Sequence, residues 1–274
     1  MRRNHPMAMS AGATFLNSFF AGFDKLFLSF YHSICCSPLT ILFKIITFIG
    51  EKGVVFFAAA LILMCFSKTR KTGVCLFGAV ACGALITSII LKDLVARPRP
   101  FMFEPFSDWY LAVGAPFEDD FSFPSGHVTA AAAGMTALRL RNGKKWTIPA
   151  IVWVVLMCMA RNYMMAHYPS DVLFGALIGV VSAVIAYYIT ELIFRILHMN
   201  RRKPWADFML NWSVPDVGGI PSRFGLIGES DELTENIRRE RTSPRSSSGE
   251  LKREVRREKT SSRSSSGYVG KHSR

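Results

Sequence analysis

The sequence predicts an all-α, polytopic transmembrane helix bundle with five to six spans, followed by a disordered C-terminal tail. Half of the 274 residues are hydrophobic, and most of these lie between about residues 12 and 197. The last quarter is instead rich in Ser, Arg, Lys, Glu and Gly. The first part is therefore too apolar for a single soluble domain, and the tail is too polar to bury a core.

Five apolar runs are candidate spans, because a helix needs about 20 residues to cross about 30 Å of hydrocarbon. The clear candidates are 72–91, 146–162 and 172–197. Run 124–140 is rich in Ala and Gly, which predicts a helix packed inside the bundle, where small residues allow close approach. A fifth candidate, 45–67, contains a Gly-Glu-Lys-Gly break near one end.

The stretch 14–33 is ambiguous because Asp24 and Lys25 lie in its middle. It fits either a sixth span or an amphipathic helix in the membrane interface, and the span is the preferred interpretation. The chain then divides into an N-terminal segment (1–36), a transmembrane domain (37–200) and a basic tail (201–274).

Short basic loops predict the orientation, since such loops remain in the cytoplasm. Three of them alternate with the spans, at 67–71, 139–145 and 200–203. The loop 101–123 has no Lys or Arg but carries five acidic residues. We therefore expect a multi-pass cell-membrane protein with loop 101–123 on the outer face and the tail in the cytoplasm.

The tail has a repeated polar sequence. Arg238–Gly249 recurs as Arg256–Gly267 with ten of twelve positions identical, and residues 198–274 hold 16 Lys and Arg against 10 Asp and Glu, a net charge of +6. This composition predicts disorder. A solvated tail, attachment to anionic lipid and charge reversal by Ser phosphorylation remain open, while nucleic acid is not an expected partner.

Six cysteines lie in or beside the apolar runs and never form a CxxC pair, which excludes zinc-finger and disulfide-scaffold classes. They are Cys35, Cys36, Cys65, Cys75, Cys82 and Cys158.

Three polar clusters fall at the ends of spans on the predicted outer face: Lys92–Pro100, Phe123–His127 and Arg161–Asp171. A single Lys or Arg at a span end is usually an interfacial anchor. Convergence of three such clusters on one face indicates a functional site instead.

The second cluster has the features of an anion site. Pro124 suits a helix start, and Gly126 lets a ligand approach the backbone, so the N–H groups of the first turn can bind an anion. His127 lies in the same turn. The cluster therefore places a histidine next to the expected anion.

The third cluster has the features of a nucleophile. His167 and Asp171 are four residues apart, and Pro169 favours a helix start between them. A carboxylate at this spacing can accept the Nδ1 proton and leave Nε2 free to attack.

The remaining charged residues complete a phosphoryl-transfer site. Two histidines, one carboxylate, a helix N-terminus and several cations can stabilise a transferring phosphoryl group without a metal, and the second histidine can protonate the leaving oxygen. The nearby positive charge would repel a divalent ion, so no metal is expected. No other cofactor is expected either. The cations are Lys92, Arg97, Arg99 and Arg161.

These motifs resemble the type 2 phosphatidic acid phosphatase (PAP2) superfamily, which also includes the vanadium haloperoxidases. That family's pattern is Lys-x6-Arg-Pro, Pro-Ser-Gly-His and Ser-Arg-x5-His-x3-Asp. The matching residues are Lys92, Arg99-Pro100, Pro124-Ser125-Gly126-His127, Arg161, His167 and Asp171. The resemblance covers roughly residues 40–197, and Ala160 stands where the family usually has Ser.

The resemblance implies a role for each matching residue. His167 would be the nucleophile that forms a phosphohistidine, Asp171 would orient it, and His127 would protonate the leaving group. The phosphoryl oxygens would be held by Lys92, Arg99, Arg161, Ser125 and the Gly126 N–H. Ala160 implies a tuned rather than an inactive enzyme. Arg97 is not a motif position and is interpreted as a membrane anchor.

The resemblance therefore implies an integral membrane lipid phosphatase acting on the outer leaflet. Its expected substrate is undecaprenyl diphosphate, phosphatidic acid or phosphatidylglycerol phosphate, and the compact span plan favours the isoprenoid. A lipid phosphotransferase using the same site and a non-catalytic membrane scaffold are the alternatives. Haloperoxidase activity is not expected, although vanadate should occupy the site as a phosphate mimic.

Overall fold

The structure, a computed structural model, describes residues 9–103, 105–115 and 118–213. Within those ranges the chain is helical and contains no strand, which confirms the all-α fold class. The helices are α1 (Ala11–Phe19), α2 (Ala21–Ser33), α3 (Ser37–Ile49), α4 (Val54–Met64), α5 (Arg70–Ala84), α6 (Lys92–Val95), α7 (Phe106–Val113), α8 (Gly126–Asn142), α9 (Thr147–Tyr163), α10 (Pro169–Met199) and α11 (Pro204–Asn211).

Helix α5 continues into α6 through a π-helical segment, Leu85–Leu91. Single π turns inside long helices are frequent at functional sites. After α6 the chain turns at Ala96, a non-glycine residue in the left-handed region with φ of 49°. The continuous helix therefore delivers Lys92 to one end of the bundle, and the turn sends the following arginines back towards the core.

Helix α8 lies at the centre of the bundle and packs against α5, α9 and α10. Small residues allow the close contact with α10. A Cβ added at Gly179 would lie 2.5 Å from the Thr129 carbonyl oxygen, and one at Gly175 would lie 2.8 Å from the Ser125 carbonyl oxygen. The expectation of a buried, small-residue helix over 124–140 agrees with this arrangement.

Fewer helices can cross a membrane than the five to six expected. In the described part of the chain, three helical segments are long and apolar enough: Arg70–Met102, Lys144–Tyr163 and Pro169–Met199. A fourth span results if α3 and α4, bent by 40° at the predicted Gly-Glu-Lys-Gly break, count as one. Helix α8 is shorter, at 17 residues.

The preferred interpretation of 14–33 as a single span is not confirmed. The stretch divides at Phe20 into α1 and α2, of 9 and 13 residues, and neither is long enough to cross the hydrocarbon. Asp24, in the middle of this stretch, is buried and forms an ion pair with Arg97. The segment therefore packs on the bundle through a polar contact.

The basic loops gather at the end of the bundle away from Lys92. Glu191 of α10 accepts hydrogen bonds from Lys71 at 3.0 Å and from Arg141 at 2.7 Å. Arg70 donates to the carbonyl of Met209 in α11 at 2.7 Å. The tail expected to be disordered from residue 201 thus begins with a helix, whose Ala206 packs against α10.

Residues 214–274, including the repeat, lie outside the described residues. Attachment of the tail to anionic lipid therefore stays a prediction, as do the domain boundaries at residues 36 and 200. All six cysteines are free thiols.

The close contact between α8 and α10 predicts that Gly179→Ala lowers the melting temperature of the detergent-solubilised protein. The added methyl group meets backbone atoms that cannot move aside, and overpacking of this kind costs about 1–3 kcal/mol. Gly22→Ala in α2 is the matched control, because a Cβ there meets no atom within 4 Å. Equal melting temperatures for the two variants would contradict the packing described.

Candidate active site

The three predicted clusters meet at one end of the bundle. The end of the α5–α6 helix supplies Lys92, the first turn of α8 supplies Gly126 and His127, and the loop before α10 supplies His167. These four residues line one cavity of about 320 Å³. The structure therefore brings together both predicted histidines and one predicted cation.

The buried imidazole of His167 has a defined orientation. Its Nδ1 lies 2.7 Å from the Ser122 carbonyl oxygen, and its Nε2 lies 3.4 Å from Arg99 Nη1. Because a carbonyl oxygen can only accept, Nδ1 carries the proton and Nε2 carries the lone pair. The expected Asp171 carboxylate is farther away, with Oδ2 at 3.8 Å from Nδ1.

The surroundings of His167 favour the neutral imidazole. Burial lowers its pKa well below the usual value, and the positive charges of Arg99 and Arg161 lower it further. Glu118 opposes this effect only in part. A neutral imidazole with a lone pair on Nε2 is therefore present at neutral pH.

Asp171 acts on His167 through Ser122. Its Oδ2 accepts the Ser122 hydroxyl at 2.5 Å and the Tyr168 backbone N–H at 3.0 Å, and the Ser122 carbonyl in turn holds the imidazole. The Asp171–Tyr168 contact is part of a capping box that starts α10 at Pro169, as the sequence predicted. One carboxylate therefore fixes both the helix start and the histidine.

The interpretation of Arg97 as a membrane anchor is wrong. Its side chain is 1% exposed and donates to the carboxylates of Asp171 at 2.5 Å and Asp24 at 2.7 Å. It also donates to the Ser170 hydroxyl at 2.8 Å and to the Asn17 amide oxygen at 2.8 Å. Arg97 therefore lies behind the site and connects it to α1 and α2.

The predicted phosphate-binding cations are paired with acidic residues of the loop 101–123. Lys92 contacts Asp120, Arg161 contacts Glu118, and Arg99 contacts both carboxylates. Sequence reasoning identified this loop only as acidic. The negative charge of this loop complements the positive charge of the three cations. That charge pattern in the sequence could have indicated that the loop lies at the site.

The charges of the site strongly favour ionised carboxylates. Burial alone would raise the pKa of Glu118, but Arg161, His167 and Arg99 together lower it to about 2. Lys92 and Arg99 likewise lower the pKa of Asp120 against the effect of burial. A substrate phosphate that binds these cations must therefore compete with two carboxylates.

Two buried polar groups near the cavity, one at the start of α8 and one at the end of α9, make no hydrogen bond within the described residues. The Ser125 hydroxyl is buried and makes no hydrogen bond within the described ranges, although serine at a helix start usually caps it. Arg161 Nε is orphaned in the same way. A Cβ added at Gly126 meets no atom within 4 Å, so packing does not require this glycine. Such groups fit an oxyanion ligand.

His127 faces the break between α3 and α4. Its Nε2 lies 3.5 Å from a carboxylate oxygen of Glu51, whose side chain is 47% exposed. The sequence analysis did not single out Glu51. Ala160, in the Ser position of the third motif, is fully buried in an apolar cluster with Phe43 and Tyr163.

The fold and this end of the bundle define an all-helical membrane protein with a cavity lined by two histidines and a lysine. Residues 72–195 match the family model described as the PAP2 superfamily. The match covers the segment that carries all three motifs.

Curated relatives match part of the chain. The chain is 34% identical over 118 residues to an undecaprenyl-diphosphatase of Sulfolobus acidocaldarius, covering 43% of this chain and 55% of that protein. It is 27% identical over 157 residues to the undecaprenyl-diphosphatase BcrC of Bacillus subtilis, covering 56% and 78%. The chain thus spans only about half of the first relative's length.

A solved structure has the same fold. The crystal structure of a transmembrane PAP2 type phosphatidylglycerolphosphate phosphatase from Bacillus subtilis superposes with a TM-score of 0.54 at 22% identity. The match covers 66% of this chain and 92% of that protein. At this identity the likeness establishes the fold alone.

The carboxylate pairing predicts that Glu118→Gln binds orthovanadate more tightly than the wild type. The substitution removes a negative charge from Arg99 and Arg161, so the oxyanion meets less competition. We expect the dissociation constant to fall by about tenfold, which corresponds to about 1.4 kcal/mol. The measurement is the vanadate-induced rise in melting temperature.

Asp108→Asn is the control for this experiment, since Asp108 is an exposed carboxylate of α7. It should bind vanadate like the wild type. Equal affinities for Glu118→Gln and the wild type would show that Glu118 does not compete with the anion.

Proposed function

We propose that the chain is an integral membrane lipid phosphatase that hydrolyses a lipid phosphomonoester or diphosphate through a phosphohistidine intermediate. The observation that carries this proposal is the orientation of His167. Its Nδ1–H donates to the Ser122 carbonyl, so Nε2 faces Arg99, and the ring lines one cavity together with Lys92 and His127.

In the first step, the Nε2 lone pair of His167 attacks phosphorus. An N–P bond forms as the P–O bond to the lipid, or to the lipid phosphate, breaks. His127 gives its proton to the leaving oxygen, which departs as an alcohol or a protonated phosphate. The proton stays bonded to Nδ1, which donates it in a hydrogen bond to the Ser122 carbonyl, so the phosphorylated ring carries a positive charge.

In the second step, a water molecule attacks the phosphohistidine. His127, now neutral, accepts a proton from the water, and the N–P bond breaks with its electron pair returning to Nε2. Inorganic phosphate leaves, and both histidines regain their starting protonation states. The Glu51 carboxylate lies 3.5 Å from His127 Nε2, close enough to orient the imidazole during this exchange.

The cations supply most of the transition-state stabilisation in this proposal. Lys92, Arg99 and Arg161 face charge that develops on the phosphoryl oxygens, and fixed donors of this kind are usually the largest catalytic contribution. The buried Ser125 hydroxyl and the N–H groups at the start of α8 add donors.

The substrate is proposed to be a membrane lipid with a terminal phosphate. Both relatives described are undecaprenyl-diphosphatases, which favours an isoprenoid diphosphate. Phosphatidic acid and phosphatidylglycerol phosphate are the other candidates. The cavity is lined on one side by Ala84, Thr87 and Ser88, at the π-helical part of a candidate span, so a lipid can approach from the bilayer.

The active site is proposed to lie on the extracytoplasmic face. Three basic loops remain at the opposite end of the helices, where the positive-inside rule places the cytoplasm. The site end carries the acidic loop instead. The tail that follows α11 is then cytoplasmic.

His167→Ala is expected to abolish phosphate release, because His167 supplies the imidazole nitrogen that faces Arg99. The assay offers undecaprenyl diphosphate and phosphatidic acid side by side, in detergent with EDTA. A loss of at least about a thousandfold is expected for removal of a nucleophile. His198→Ala, an exposed histidine at the far end of α10, is the control that should retain activity.

The outcomes separate the alternatives. Phosphate transferred to an added acceptor instead of to water would identify a phosphotransferase. Equal phosphate release by the wild type and His167→Ala would exclude the proposed chemistry and favour the scaffold.

The proposed orientation predicts that a cysteine at Asp108 reacts with an impermeant thiol reagent in whole cells, whereas one at Lys144 does not. Both side chains are exposed, and they lie on loops assigned to opposite faces. The background replaces the exposed Cys35 and Cys36 by Ser. Labelling at Lys144 with protection at Asp108 would invert the topology.

A further inference from the structure

We propose that Asp24 of α2 is a positioning residue of the active site, acting through Arg97 on Asp171. The inference rests on the proposed phosphatase mechanism and extends it to the N-terminal helices. Asp24 lies outside the three sequence motifs and outside the matched segment 72–195. It occurs in the stretch that the family resemblance left unexplained.

Arg97 bridges two buried carboxylates that lie far apart in the sequence. Its Nη1 donates to Asp171 Oδ1 at 2.5 Å, and its Nη2 donates to Asp24 Oδ2 at 2.7 Å. The guanidinium also lies over the Tyr168 ring, 3.8 Å from its centroid. Both carboxylates are buried, since Asp24 is 3% exposed and Asp171 fully buried.

Asp24 also binds the first turn of α10 directly. Its Oδ1 accepts the Ser170 backbone N–H at 2.9 Å, and its Oδ2 accepts the Ser170 hydroxyl at 2.8 Å. Ser170 lies between His167 and Asp171 in the sequence. The carboxylate therefore holds the turn that carries the nucleophile as well as the arginine behind it.

The charges of this triplet explain why a second carboxylate is present. One guanidinium paired with Asp171 alone would neutralise it, whereas Asp24, Arg97 and Asp171 together carry one net negative charge. Buried charges interact strongly because the effective dielectric constant is lower than in water. Because of Asp24, Arg97 can bind Asp171 without neutralising the net negative charge next to His167.

The net negative charge of the triplet stabilises the phosphorylated His167. Its Nδ1 keeps a proton while Nε2 bonds to phosphorus, so the ring becomes cationic, and Lys92, Arg99 and Arg161 already surround it with positive charge. Glu118 and Asp120 compensate these cations only until a substrate phosphate competes for them. The buried triplet offers negative charge that substrate binding does not displace.

A purely structural role explains the triplet less well. Replacing buried ion pairs by apolar residues is often neutral or stabilising, so a membrane-associated helix gains little stability from a buried aspartate. Apolar residues at positions 17 and 24 would attach α1 and α2 to the bundle with less desolvation.

The test compares Asp24→Asn with Asp24→Glu in the detergent-solubilised full chain. Asp24→Asn keeps the shape but removes the charge, and we expect kcat to fall by about tenfold or more with KM changed less than about threefold. Rapid-quench labelling with phosphorus-32 substrate should show slower phosphoenzyme formation. Asp24→Glu restores the charge and should recover most of kcat.

Two controls separate positioning from folding. Leu28→Ala removes a buried side chain of the same helix without changing its charge, and Lys25→Gln changes the charge at the exposed neighbouring position. Leu28→Ala should lower the melting temperature while leaving kcat within about twofold per active molecule. Lys25→Gln should change neither.

Each outcome decides the inference. If Asp24→Asn retains wild-type kcat, or if Asp24→Glu is as impaired as Asp24→Asn, the charge has no positioning role and the inference is wrong. If Asp24→Asn loses activity only in proportion to folded protein, as Leu28→Ala would, the role is structural. Failure of His167→Ala to abolish phosphate release would instead overturn the proposed function itself.

Discussion

The buried bridge of Asp24, Arg97 and Asp171 is the interaction on which the site end of the bundle depends. A guanidinium inside an apolar bundle is stable only if its charge and hydrogen bonds are satisfied, because unpaired buried charges are very costly. The two carboxylates meet that need and come from α2 and α10, which lie far apart in the sequence. Their pairing therefore joins α2, the turn after α6 and the start of α10 into one arrangement.

Close packing of α8 against α10 brings the two histidine-bearing turns together. Glycines on α10 let the two backbones approach, and the Ser125 backbone N–H donates to the Asp171 carbonyl at 3.2 Å. The histidines can then share one cavity although they are separated by forty residues. Rigid helices thereby fix a geometry that loops alone would hold less precisely.

The acidic loop gives the site a charge balance that any oxyanion must alter. Three cations inside an apolar bundle would repel one another, and the carboxylates of Glu118 and Asp120 offset that repulsion. When a phosphate binds, its negatively charged oxygens replace the carboxylates of Glu118 and Asp120 as partners of the cations. The proposed phosphatase can therefore keep a strongly cationic pocket stable and still bind a dianionic head group, because neither state leaves the cations uncompensated.

The sequence by itself determined the helical class, the apolar runs of α5, α9 and α10, the break before α4 and the start of α10 at Pro169. It also identified both histidines and the three motif cations, since their spacing is local and each lies at a helix end. Only the tertiary structure decided that Asp24 pairs with Arg97, that Ser122 holds His167, and that Glu118 and Asp120 pair with the cations. These contacts join residues 21 to 74 positions apart, and no periodic pattern encodes them. Helical periodicity reports which face of a helix is apolar, but it does not report which distant charge will meet a buried one.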